Sequence, residues 1–212
     1  MVNAPYIGRP LREPNGGLDL IKTIDSGSAA SYEFLNGSND VVLDATYRHY
    51  VFEIIAMHPV TDGVQMIWQW SKDGGSSYSA LAANTHVTSS EHAEDDSPAQ
   101  ARNATNYYSG TDGNAWASGR THNLGGYCSN DADSCTSGFL HWFSPYSTNR
   151  LPMAWGRIST SGGDDGGNNP WLFHAHTANI IDEQDEAIDG VKFLFSSGNI
   201  DTGTIKLYGY RY

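Results

Sequence analysis

The chain has 212 residues, with 12 Lys and Arg against 24 Asp and Glu for a formal net charge of -12, and is 39% hydrophobic and 12% aromatic. That apolar share is too high for a disordered chain, and so acidic a surface argues against binding a phosphate backbone, so no nucleic-acid partner is expected. No stretch reaches the roughly 20 apolar residues of a membrane-spanning helix, so no membrane insertion is expected, and the 23 glycines favour a turn-rich all-β protein.

Residues 1–25 hold Pro5, Pro10 and Pro14, a Gly16-Gly17 pair and little periodicity. Proline interrupts regular pairing, so this segment is expected to be an extended arm, lying on its own domain or reaching a neighbouring subunit. It has no basic region followed by an apolar run, so no signal peptide is expected and synthesis is placed in the cytoplasm. Residues 26–212 are expected to form a single domain.

Strand patterns dominate from there. "ASYEFL" (30–35) alternates, and "YRHYVFEIIAMHPV" (47–60) is rich in aromatic and branched residues. In "GVQMIWQW" (63–70), Val64, Met66, Trp68 and Trp70 share one face, with Gln65 and Gln69 on the other. Period two with polar residues opposite means a half-buried strand. "SKDGGSSY" (71–78) follows, and its Asp73-Gly74 pair predicts a hairpin turn, because glycine supplies positive φ.

About 80–136 is read as a long polar insertion, a functional or interaction surface, with a short helix conceivable over 97–105. It carries Tyr107, Tyr108, Trp116 and Tyr127, aromatic residues hard to explain as core. They form the candidate ligand or partner surface, whether as flat faces for sugar rings or as protein-interface anchors. Cys128 and Cys135 bracket "CSNDADSC". Two cysteines make no zinc site alone, and free thiols are expected unless an oxidising exterior closes the loop.

Further strands are expected over "SGFLHWF" (137–143), "LPMAWGRIS" (151–159), "PWLFHAH" (170–176), "GVKFLF" (190–195) and "TIKLYGYRY" (204–212). In the last of these, Ile205 and Leu207 point one way, and Lys206, Tyr208, Tyr210 and Tyr212 the other, and the closing stretch 195–212 is read as the hairpin that closes the sandwich. About eight antiparallel strands separated by Gly, Asp, Asn and Ser turns predict a jelly-roll-like β-sandwich.

Acid clusters in "EHAEDD" (91–96), "DADS" (131–134), "GGDDGG" (162–167) and "DEQDEAID" (182–189) are read as solvated loops, with carboxylate-held calcium as the alternative. His174 and His176 fall on one strand face, and Glu183 follows. Cupins, which are metal-binding jelly rolls, use a His-x-His pair, then a glutamate and a glycine. Here Asn168 stands where the preceding glycine belongs, and the glutamate falls late. No catalytic motif is present, so no catalytic residues and no cofactor are expected.

Two stretches together resemble a known group. "GVQMIWQWSKDGGSSY" supplies Ser71, Asp73, Gly74 and Gly75, and "FLFSSGNIDTGTIKLYGY" supplies Ser197, Gly198, Asn199, Ile200, Gly203, Leu207, Tyr208 and Gly209. With "SYEFLNG" (31–37), they are similar to a family of small β-sandwich proteins of tailed bacteriophages and prophages. The resemblance covers about 31–80 and 187–212. It implies a non-enzymatic virion structural protein, tail-associated as a fibre or spike head with a host-surface or glycan adhesion role, or a capsid decoration protein. The expected setting is the virion exterior after assembly in the host cytoplasm. The expected partners are other virion proteins, further copies of the chain (a trimer suits either station) and a host surface glycan. The alternative is a cupin-like metal-dependent or carbohydrate-active jelly-roll enzyme using His174, His176 and Glu183.

Overall fold

The computed structural model describes residues 17–78, 83–93, 122–164, 167–181 and 187–210. Among them there is no helix, and eleven strands form two antiparallel sheets. In chain order these are β1 (Leu18–Ile24), β2 (Tyr32–Leu35), β3 (His49–Pro59), β4 (Val64–Ser71), β5 (Ala83–Ala93), β6 (His122–Cys128), β7 (Cys135–Phe143), β8 (Met153–Asp164), β9 (Gly167–Ile181), β10 (Gly190–Phe195) and β11 (Ile200–Tyr210).

The larger sheet runs β1-β11-β3-β7-β8-β9-β5 and the smaller β2-β10-β4-β6. The first four strands of the larger sheet and all four of the smaller have jelly-roll connectivity. From β1 to β4 the chain changes sheet at every step. It then passes β6 in the smaller sheet and β7 in the larger, and closes through β10 and β11. The β8–β9 hairpin and β5 widen the larger sheet beyond β7, which becomes its middle strand.

Period-two patterning builds the core. Tyr32 and Phe34 of β2, Tyr50, Phe52 and Ile54 of β3, Met66, Trp68 and Trp70 of β4, Leu140 and Trp142 of β7, and Val191, Phe193 and Phe195 of β10 are all buried between the sheets. The rings meet edge to face, with centroids 5.3 Å apart for Phe34–Phe52, 5.0 Å for Phe52–Phe193 and 4.8 Å for Trp68–Trp70. Such pairs contribute about 0.5–1.5 kcal/mol each beyond the area they bury.

Four expectations need correction. Residues 18–24 are not arm but β1, paired with β11 from Leu18↔Tyr210 to Ile24↔Ile205. The prolines stop at Pro14, and "LDLIKTI" has backbone donors throughout. The 80–136 region is not one loop: it contributes β5, paired with β9, and β6, paired with β4. The turn at Asp73-Gly74 is a turn, with φ of 68° at Gly74 and 80° at Gly75, but β4 and β5 lie in different sheets and form no hairpin. The closing stretch is likewise no hairpin. β10 belongs to the smaller sheet and β11 to the larger, so Ser196–Asn199 crosses between sheets. The 97–105 segment lies outside the described residues.

Candidate functional site

Strand alternation that sends Phe52, Leu140, Ile158 and Leu207 into the core sends their neighbours to the outer face of the larger sheet. The register arranges those neighbours in rows across the strands. One row runs Leu18, Tyr210, His49, Phe143, Met153 and the next Leu20, Tyr208, Val51, His141, Trp155. A third runs Lys206, Glu53, Phe139, Arg157, His176. The first two rows hold no carboxylate, lysine or arginine. Among the described residues eight large apolar side chains are exposed, and six of them (Leu18, Leu20, Phe139, Met153, Trp155 and Leu172) lie on this face. All of these but Leu172 sit in the three adjacent rows, and monomers rarely gather that much apolar surface without a use for it.

The rings contact one another closely. His49 stacks on Phe143 at 4.5 Å and on Tyr210 at 5.5 Å, and His141 stacks on Trp155 at 4.5 Å. His49 Nε2 and His141 Nδ1 share a hydrogen bond of 2.9 Å between the rows. Burial, then the neighbouring His141, holds His49 down at about 4, and burial lowers His141. Both rings are therefore neutral at pH 7.

Apart from Phe139, the third row is polar. Tyr208 donates its hydroxyl to Glu53 Oε2 at 2.8 Å, and Lys206 Nζ stands 3.5 Å from the same oxygen. Burial, then the Glu53 carboxylate, raises the Tyr208 phenol.

Val51 is short and its row neighbours are long, so a groove of about 400 Å³ opens above β3. Tyr208 and Tyr210 wall one side, Phe139 and His141 the other, Glu53 lies at one end, and Val51 is the floor. Val51 is only 4% exposed although it lies outside the core cluster, so outer-face side chains alone cover it.

His174 and His176 also lie on this outer face, with ring centroids 5.1 Å apart and planes at 89°. Between them Ala175 is fully buried, so the imidazoles point away from the space between the sheets. His174 Nδ1 is 3.0 Å from Ser159 Oγ. Glu183 lies outside the described residues. Among those described, no three His, Cys, Asp or Glu side chains gather as a metal set. Of the acid clusters, Asp131 is engaged internally and accepts from Ser129 Oγ at 2.7 Å.

Tyr127, on β6 beside Gln65, is exposed on the smaller sheet, away from the aromatic rows. Tyr107, Tyr108 and Trp116 lie outside the described residues. Cys128 and Cys135 are free thiols, and burial pushes Cys128 up to about 12. Sequence reasoning placed Tyr208 and Tyr210 outward. It missed the grouping of His49, His141 and Trp155, whose only signal was their outward parity in three separate strands.

Compared with known proteins, the chain matches no family model, no curated protein and no solved structure. The fold and the outer face therefore define the class by themselves: a jelly-roll β-sandwich with a ring-lined apolar sheet face.

Proposed function

We propose that the chain is a non-enzymatic structural protein of a bacteriophage virion exterior, a tail-associated head domain or a capsid decoration protein. One observation carries the reading. A jelly roll is a building block of capsid and lectin domains, and this one keeps six of its eight exposed large apolar side chains, among the described residues, on one sheet face. That distribution suits a subunit that docks through a sheet. The -12 charge suits a surface turned away from packaged DNA. The phage-like stretches at 63–78 and 193–210 supply the biological setting by resemblance, and fold alone would not.

Quantitative mass spectrometry of purified particles tests this. A few to tens of copies per particle assigns the tail, and hundreds assign decoration of the capsid. Absence from particles overturns the proposal. Stoichiometric transition metal in the purified protein, lost in His174→Ala, would replace it with the metalloenzyme reading.

A further inference from the structure

The seven-stranded sheet has a symmetry that its order makes visible. β7 is the middle strand, with β3 next to it on one side and β8 on the other. The groove over Val51 lies on β3 and the half-exposed Trp155 projects from β8. Both belong to the same transverse row, because Val51 and Trp155 both register with His141 of β7. A two-fold axis laid along β7, in the plane between two facing sheets, exchanges the two sides of the sheet. It therefore places Trp155 of each copy over the groove of the other.

We infer that this face is a two-fold self-association surface, in which Trp155 of one copy enters the groove over Val51 of a second copy of the same chain. A contact of this kind is isologous and closes on itself. Met153, one row away on the same strand, would face His49 of the second copy by the same operation.

Two further observations favour a second copy over other occupants. Each copy carries -12, so two copies can approach closely only through a surface without exposed unpaired acid. The two aromatic rows hold no charged side chain, and Glu53 beside them is paired with Lys206. The size is adequate when the polar rows serve as rim: seven strands span roughly 29 Å and nine residues of β7 roughly 30 Å, about 850 Å² of nominal area against the ~800 Å² per partner of a stable interface, with the two aromatic rows as its apolar part.

The inference rests on the assembly reading only in treating this face as protein-binding, and its test uses the purified full chain alone. Sedimentation velocity over a range of concentrations is expected to show a monomer–dimer equilibrium. Trp155→Glu, with near-UV dichroism unchanged, is expected to raise the dissociation constant at least about thirtyfold, the effect of losing a buried tryptophan anchor. Should Trp155→Glu fail to fold, Met153→Glu takes its place with the same expectation. Tyr127→Glu, on the smaller sheet, is expected to leave the dimer intact. A chain that stays monomeric, a trimer, a folded Trp155→Glu that dimerises like the parent, or a dimer lost only in Tyr127→Glu would overturn the inference. A monomer would leave the particle-copy test of the virion reading untouched.

Discussion

Gly209 is the inward-facing residue of β11 where the ring of Tyr47 lies against the strand, and a methyl group there would stand 2.3 Å from the Tyr47 ring. The ring also packs edge to face on Tyr50 at 5.8 Å, and its hydroxyl donates to Asp19 Oδ2 on β1 at 2.9 Å. One missing side chain thus lets a tyrosine join the β3, β11 and β1 strands. Gly209→Ala is expected to lower stability by about 1–3 kcal/mol through overpacking, read from urea denaturation at constant slope. A second residue-scale prediction concerns pH. His49 is held at about 4 and His141 below the ordinary value, so folding favours their neutral forms. As pH falls below about 6.5 the unfolded chain takes up protons first, and stability is lost progressively until the folded His49 ring protonates near 4. Because the rings are partly solvated, the loss is on the order of 1–2 kcal/mol. The difference in melting temperature between pH 7 and pH 4.5 is expected to be smaller in His49→Gln than in the parent. An equal difference in both would show that the imidazole pair carries no pH dependence.

At the scale of elements, β1 covers the outer edge of β11, and an uncovered edge offers unpaired donors and acceptors to other chains. Removing residues 1–25 therefore strips a strand, whereas removing 1–16 leaves β1 whole. The longer truncation is expected to melt at a lower temperature and to aggregate on gel filtration relative to the shorter one; indistinguishable behaviour would show that β1 contributes little. Strands such as β4, β10 and β11 were legible from alternation at period two, and β3 because it is a long run of aromatic and branched residues. β1 was hidden by the prolines that precede it, and β6 by the small "NLGGYC" run, whose Leu124 and Cys128 reach the core with glycines between them. β5, "ANTHVTSSEHA", is built from small and polar residues and shows its role only through pairing with β9. The crossing from β10 to β11 was mistaken for a hairpin because glycine-rich turns look alike whether the next strand returns to the same sheet or the opposite one. The outer face was legible only in part for a related reason. Parity says that His49, His141 and Trp155 point outward, but their contact depends on a register across three strands up to about a hundred residues apart, which no local pattern encodes.

At the scale of the whole molecule, charge and apolar surface act against each other. Two copies each carrying -12 repel over a distance set by ionic strength, about 30 Å at 0.01 M and about 8 Å at 0.15 M. The attraction assigned to the β7-centred face is apolar burial, which simple salt does not screen. Raising salt therefore removes the opposing term and leaves the favourable one, and kosmotropic salts strengthen burial further. An interface held by ion pairs between copies would respond with the opposite sign, because salt would screen its attraction. The Glu53–Lys206 pair lies within one copy and does not reverse that expectation. Sedimentation equilibrium in sodium chloride from about 0.02 M to about 0.3 M, spanning the screening range above, is expected to show dissociation constants that fall steadily as salt rises. Weaker association at higher salt would place complementary charge at the contact and move the docking surface away from the aromatic rows.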